Sequence, residues 1–498
     1  MNVAENVSEA LHRWAQSAPG ELALIENERG TSYRDLDNAV WRVCAALRKA
    51  GLGPGAVVAV TGDGGALLQL AISLALARIG AVQTALSLGD GIERHRAIVR
   101  IARISAIVTA IPGIEALGLN VIRPDPAWLD PRSPVPSADI APGGDAIWLI
   151  NHSSGTTGRP KAMAISHGME AARMALQPPE FACRPGERFM SLTPMEFWIG
   201  RSRAIRCLSE GGTVVAPPAS SSVVDLFPTI DRHDVTHVTC TPTNLDRLIP
   251  HLPDDRPRFP RLRMVRVSSA ALPKRVLSET CRRMNPNVYT NYGANEAGSF
   301  TVATPELLAR DPNTAGTISP GIDFQLVDER GNVVGIGEVG HVRARTPGMI
   351  KGYLGDEEAS KAAFRGGWFY PGDLATIDAD GLVHVKGRSD DMLNFDGMLL
   401  SPQEIEDVVL RHPAVIDAAA FRIPSERHQD VPAAAVVLRE PVDLEAIRRY
   451  CRDRLGGRSP LVVIQFTQLP RNAIGKVVRQ ELTRMALAEL ERIGQATG

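Results

Sequence analysis

Cysteine is sparse in this chain and carries no pattern. The six residues, Cys44, Cys183, Cys207, Cys240, Cys281 and Cys451, form no C-x-x-C pair and show no metal-ligand spacing with histidine. They read as buried thiols of a reducing compartment rather than as a disulfide frame or a zinc module. Net charge is lacking too. Lys+Arg 55 against Asp+Glu 56 leaves a formal charge of -1, so no global field steers the protein to nucleic acid or to an anionic membrane. Any anion it binds must be held locally. Long hydrophobic runs are also missing. The most apolar stretch, Ala66 to Ala77, is interrupted by Gln69 and stopped by Arg78. It falls short of the roughly 20 residues that cross a bilayer and reads as a buried helix. The start, Met1-Asn2-Val3-Ala4-Glu5, has acid where an export signal has base, and no apolar core precedes Trp14; the expected location is the cytoplasm.

What is present points to a large, fully folded protein. A chain of 498 residues exceeds one hydrophobic core and predicts roughly three folding units. Apolar content of 44%, charged content of 22%, Gly 44 and Pro 36 argue for folding throughout rather than disorder. From Leu47 a Gly-rich turn, the run Val57 to Val60, a long apolar helix and a strand at Ala106 to Ala110 alternate as in a mainly parallel sheet. The alternation returns after Ala146, at Ile147 to Ile150, Thr213 to Ala216, His237 to Cys240 and Met264 to Val267, which predicts two α/β lobes. Between Thr314 and Lys386 short apolar stretches punctuated by glycine predict a small antiparallel β region. The last hundred residues read as a separate α+β domain. It has a helix from Pro402, strands at Ala414 to Ile423 and Ala433 to Leu438, a helix at Leu444 to Leu455 and a final long helix. The expected boundary lies near Asp390, dividing the chain into residues 1–389 and 390–498.

The clearest chemical signal is Ser153-Ser154-Gly155-Thr156-Thr157-Gly158-Arg159-Pro160-Lys161, directly after a strand. Two glycines turn backbone amides toward a ligand, hydroxyls add donors and Lys161 adds charge, as a phosphate cradle requires. In a Walker loop lysine follows the second glycine directly; here Arg159 and Pro160 intervene. The rival reading of this segment alone is a surface loop rich in Gly, Ser and Thr. Four more segments come later in the chain: Tyr292-Gly293-Ala294-Asn295-Glu296, Gly367 to Asp373, Gly387-Arg388-Ser389-Asp390-Asp391, and Asn472-Ala473-Ile474-Gly475-Lys476. In this order and spacing the five resemble the adenylate-forming superfamily of acyl-CoA synthetases, peptide synthetase adenylation domains and luciferases, along nearly the whole chain. The resemblance implies an α/β fold: a large N-terminal domain of two α/β lobes and a small β-barrel, then a small mobile C-terminal lid.

It also implies roles. Joining a carboxylate to ATP brings two anions together, so the site must neutralise phosphate and hold the reactants in line. Ser153, Ser154, Gly155, Thr156, Thr157, Gly158 and Lys161 are expected to grip phosphate. Ala270, Asn291, Tyr292, Gly293, Ala294 and Asn295 are expected to line the nucleotide. Glu296, with Thr157 as helper, is the expected Mg²⁺ ligand, since a carboxylate beside triphosphate makes sense only with a bridging cation. Asp373 is expected on the ribose hydroxyls and Arg388 on ribose or phosphate; caps or salt bridges are the rival roles. Lys476, placed at the start of the final helix, is expected to bridge the carboxylate and the α-phosphate. Asp390 matches the hinge and Gly397 the thiol tunnel, with a plain hairpin turn as the rival for Gly397.

For the acid, Phe197, Trp198, Thr241 and Ser269 are the expected pocket walls, within the wider stretches Thr239 to Thr243 and Ser268 to Ala271. Trp198 stands where amino-acid-activating relatives carry aspartate, which argues against an amino acid. Ser268-Ser269-Ala270-Ala271 departs from the frequent Gly-Gly-Ala-Pro. Arg201, Arg203 and Arg206 come after the gate segment Pro194 to Gly200, and a guanidinium there is suited to a second carboxylate, with helix-face salt bridges as the rival. Only 22 residues come after Lys476, too few for a fused carrier domain. Coenzyme A is therefore the leading acceptor, a separate acyl carrier protein the alternative and a non-catalytic binding protein the outlier. ATP, Mg²⁺ and coenzyme A are the expected cofactors, with no nucleic-acid partner and no membrane span.

Overall fold

The computed structural model describes residues 5–87, 91–153, 160–218, 223–395, 398–425, 429–472 and 475–496. Two compact units emerge: residues 1–324 with 343–370, and residues 325–342 with 371–498. The first is built on two sheets. A six-stranded sheet runs in the order Asn120–Ile122, Ala106–Val108, Val57–Val60, Val82–Ala85, Ile147–Ser153, Lys161–Ser166. Its first five strands are parallel and the last pair is an antiparallel hairpin. A nine-stranded sheet runs in the order Thr317–Ile318, Gly298–Ala303, Val288–Ala294, Met264–Val267, His237–Cys240, Arg188–Ser191, Thr213–Val215, Leu22–Glu26, Arg29–Ser32. Its centre is parallel and its edges are antiparallel.

The two α/β lobes are present, but their membership differs from the linear reading. Ile147 to Ile150, which reads as the opening of the second lobe, is the fifth strand of the first sheet, with Leu149 paired to Gln83. The N-terminal strand Leu22–Glu26 joins the second sheet beside Thr213–Val215. Buried parallel strands are short apolar runs of interchangeable composition, so their partners are set by how the intervening helices pack.

The helix Gly65–Arg78 is buried on nearly every side, which explains why its apolar residues show no stripe. It shares one core with the helix Tyr33–Lys49 and with residues of both sheets, including Leu24, Val58, Val60 and Val214. The helix Tyr33–Lys49 opens where Ser32 accepts a hydrogen bond from the Asp35 amide, an ordinary cap. Arg78 at the end of the apolar helix is fully buried, paired to Asp37 at 2.6 Å and stacked 4.3 Å over Trp41. All six cysteines are free, and only Cys281 is partly exposed. Cys183, Glu187 and His237 fold to within 4.8 Å of one another, a grouping that no local spacing shows, in which Glu187 is already paired with Arg263.

The antiparallel strands expected between Thr314 and Lys386 divide at Gly340–Arg345. Ala344 pairs with Phe369 in the first unit, whereas Gly340 and His341 pair with Ala375 and Leu374 in the second. The contact-defined cut therefore falls at Tyr370, ahead of Asp390. Residues 371–389 group with the C-terminal part of the chain, and Ser401 Oγ donates to the Lys386 carbonyl at 2.6 Å. The second unit continues with the helix Pro402–Val409, the long hairpin Val415–Ser425 with Gln429–Leu438, the helix Leu444–Leu455 and the helix Arg479–Ala496. Two apolar clusters cover opposite faces of this hairpin. Among the described residues no helix is long and apolar enough to cross a membrane.

Candidate functional site

Lys161 starts the strand Lys161–Ser166 and pairs in register with Ser153. The strands on either side of the Gly-rich segment thereby form an antiparallel pair, and Ser154, Gly155, Thr156, Thr157 and Gly158 lie outside the described residues. Lys161 Nζ sits 4.9 Å from the centre of the Tyr353 ring, a cation–π contact. The Tyr353 hydroxyl donates to Glu296 Oε1 at 2.9 Å. Lys161 and Glu296, 135 positions apart in the sequence, thus share one aromatic spacer.

Each of these three residues is held by backbone. The Leu354 amide bonds the Ala162 carbonyl at 2.8 Å, which seats Tyr353 beside Lys161, and Tyr353 packs edge-on against Phe364. The Glu296 carbonyl accepts from the Ile350 amide at 2.9 Å and from Arg173 Nη2 at 3.1 Å. The turn itself needs Gly293, because a Cβ there would lie 2.2 Å from the Gly298 carbonyl oxygen. Tyr292 packs on Phe300, Ala294 is partly exposed, and Asn295 projects to solvent. Tyr353 and Arg173 carry no local signal in the sequence. An aromatic after glycine in a β region reads as core, and only the fold brings it to Glu296.

The expected acid pocket contains a polar chain. The helix Trp198–Ser209 begins directly after Phe197, and from it Arg203 donates to Thr239 Oγ1 and to Ser268 Oγ, both at 2.9 Å. Ser268 Oγ donates onward to Asn291 Oδ1 at 2.8 Å, which also accepts from Arg266 Nε at 3.2 Å. Arg266 continues to Gln177 at 2.8 Å. The resemblance assigns Asn291 to the nucleotide, but its side-chain oxygen belongs to this chain of bonds. Two other expected walls do local work. Thr241 caps the helix Pro242–Leu248 in a reciprocal box with Asn244, and Trp198 packs at 5.6 Å on the fully buried Trp148. Arg206 adopts its rival role as a salt bridge to Glu210 at 2.8 Å.

Ser269 holds φ of 80°, in the left-handed region that a serine occupies at a cost of about 1 kcal/mol or more. Ala270 beside it is exposed. Ser269→Gly is expected to raise the apparent unfolding midpoint, by up to about 1 kcal/mol of strain relieved. A midpoint that falls instead would show that the serine side chain stabilises the turn more than its backbone strains it.

In the second unit Asp373 opens the strand Asp373–Ile377 opposite Arg388, and the two side chains lie 3.9 Å apart. Arg388 also donates to Asp390 through Nε at 3.0 Å and Nη2 at 3.3 Å, and to the Pro371 carbonyl at 2.6 Å. The expected hinge carboxylate and the expected ribose-binding guanidinium are therefore paired with each other. Lys476 stands before the final helix rather than in it, since the helix begins at Arg479. Its backbone is closed onto Asn472 by two bonds of 2.9 Å, after Gly475 at φ 83°. Arg471 anchors the same turn to Asp417, while the Lys476 side chain is exposed. Gly397, Ala473 and Ile474 lie outside the described residues.

Two mainly parallel sheets packed on shared helices, followed along the chain by a smaller α+β unit, are the arrangement of the adenylate-forming enzymes. The AMP-binding enzyme model matches residues 11–354, and the AMP-binding enzyme C-terminal domain model matches residues 404–476. The chain belongs to the AMP-binding enzyme family. Among its relatives, an indoleacetate–CoA ligase of Aromatoleum aromaticum is 28% identical over 97% of this chain and 99% of its own. A 2-succinylbenzoate–CoA ligase of Bacillus subtilis is 30% identical over 70% of each. Among solved structures, ATP-bound MatB from Rhodopseudomonas palustris superposes with a TM-score of 0.88 at 26% identity, covering 97% of this chain and 99% of that one.

Proposed function

We propose that this protein is an AMP-forming acid–thiol ligase: it activates a carboxylic acid as an acyl-adenylate with release of pyrophosphate, then passes the acyl group to coenzyme A. The observation that carries this reading is the Lys161–Tyr353–Glu296 contact, which seats a cation and a carboxylate at the root of the phosphate loop. Relatives named as CoA ligases along nearly the whole chain support the same acceptor. Relatives matched over two thirds of the chain or more are named for aromatic or dicarboxylic acids, which selects the panel to test.

Each residue has a distinct part. Lys161 and the loop amides neutralise phosphate oxygens, Asp373 and Arg388 hold the ribose, and Lys476 pairs with the carboxylate and the α-phosphate as they approach. Glu296 fits a magnesium ion in donor type, a carboxylate oxygen already oriented by Tyr353, and with Thr157 would hold an ion that offsets triphosphate charge. Asp390 is the proposed hinge for the second half-reaction and Gly397 the proposed wall of the thiol passage.

The test is coenzyme A-dependent AMP release across short, long, aromatic and dicarboxylic acids, with ATP–pyrophosphate exchange in parallel. AMP release with a matching acyl-CoA product upholds the reading. Exchange that coenzyme A leaves unchanged assigns the acceptor to a carrier protein, and no exchange with any acid counts against ligase activity. Tyr353→Phe keeps the ring beneath Lys161 and the packing on Phe364 but removes the bond to Glu296. It is expected to slow exchange about tenfold, the usual effect of deleting a hydrogen bond to a charged group. An unchanged rate would mean that Tyr353 serves packing alone.

A further inference from the structure

Arg203 and Arg266 lie in the expected acid pocket, and neither has a carboxylate partner among the described residues. Their acceptors are all neutral: Thr239 and Ser268 for Arg203, Asn291 and Gln177 for Arg266. Arg266 is 4% exposed and stacks 4.1 Å over Phe181, whereas Arg203 is half-buried. Hydroxyl and amide oxygens orient a guanidinium without offsetting its charge, and a buried cation without a counter-charge is unfavourable. Arg206 shows the contrast on the same helix, with Glu210 at 2.8 Å. Arg201 is buried too, and its Nε has no hydrogen-bond partner. It lines a cavity with Thr61, Gln69, Met195 and the acidic Glu196 of only ≈ 10 Å³, room for about one water rather than an acid.

We infer that the pocket takes an acid bearing a second carboxylate, and that Arg203 and Asn291 receive this distal group. The inference rests on the ligase reading and deepens it by naming the substrate class. Each terminal nitrogen of Arg203 gives one N–H to a hydroxyl, so a second N–H remains on each to meet a carboxylate oxygen. Asn291 must present its oxygen to Arg266, because Nε of arginine only donates. Its amide nitrogen is thereby turned from the network and is a neutral donor for the same carboxylate. Thr239 lies near the end of the strand His237–Cys240 and Ser268 is the residue directly after Met264–Val267. These are carboxyl ends of parallel strands, the edge at which open α/β sheets bind ligands. Burial, with the like charge of Arg206 nearby, pushes the Arg203 guanidinium down to about 10, still cationic at neutral pH and in need of an anion. A diacid answers this need, with one carboxylate for adenylation and the other for charge compensation.

The test compares straight-chain dicarboxylic acids and the benzenedicarboxylic acids with their monomethyl esters, in wild type and in Arg203→Gln. For the best diacid, wild-type kcat/KM in ATP–pyrophosphate exchange is expected to exceed that for its half-ester about a hundredfold, as sites built for a polar group reject its absence. Arg203→Gln is expected to erase that ratio and to leave the half-ester within about threefold of wild type. A wild type indifferent to the second carboxylate, or a variant that loses both substrates equally, overturns the inference and leaves the ligase reading standing. The unfolding midpoint with each acid alone is the second readout. If no acid supports exchange, the ligase reading fails. A midpoint raised by a diacid in wild type but not in Arg203→Gln then still upholds the diacid site, and no rise in wild type overturns it.

Discussion

Lys476→Ala is expected to slow acyl-adenylate formation by about a hundredfold or more while leaving thioester formation from supplied acyl-adenylate near the wild-type rate. Losing a cation that meets charge developing in the transition state commonly has this effect. The structure supports a residue built to deliver charge. Its backbone is locked by Asn472 and, through Arg471, by Asp417, while its long side chain is exposed. Alanine removes the ammonium without disturbing that turn, because the bonds that close it are to backbone atoms of Lys476. Single-turnover measurement of each half-reaction decides the matter. Equal losses in both would contradict the role.

Glu296→Gln carries the second large effect. Glutamine preserves the volume, the acceptor oxygen for Tyr353 and the backbone bonds of Glu296 to Ile350 and Arg173, and removes only the charge. If the carboxylate holds magnesium against triphosphate, exchange at saturating acid is expected to fall about a hundredfold, with the Mg²⁺ dependence displaced to higher concentration. Titrating Mg²⁺ in both proteins checks this. A variant within about threefold of wild type at every Mg²⁺ concentration would leave Glu296 with a structural role only.

Much of the architecture is legible in the sequence because its signals are local. The helix Leu444–Leu455 and the hairpin that precedes it fall where periodicity and turn residues place them, within a few residues at the strand ends. The buried helix Gly65–Arg78 is announced by its apolar run. Sheet membership is not legible in this way. The runs Val57 to Val60 and Thr213 to Val215 are both short and valine-rich, yet one belongs to the six-stranded sheet and the other to the nine-stranded sheet, a choice made by long-range packing.

The site divides along the same line. Within the proposed site, the sequence by itself marks the candidate phosphate loop with Lys161, the Glu296 turn and the Lys476 turn. A cradle of successive backbone amides and a short glycine turn are made from neighbours in the chain, so their composition states their chemistry. Only the tertiary structure decides that Tyr353 joins Lys161 to Glu296, that Arg206 finds Glu210 while Arg203 finds only hydroxyls, and that Thr241 serves as a cap. The charge state and purpose of a buried polar side chain depend on its partners in space. Here those partners come from strands and helices far apart in sequence, brought together by burial of apolar surface that carries no information about charge.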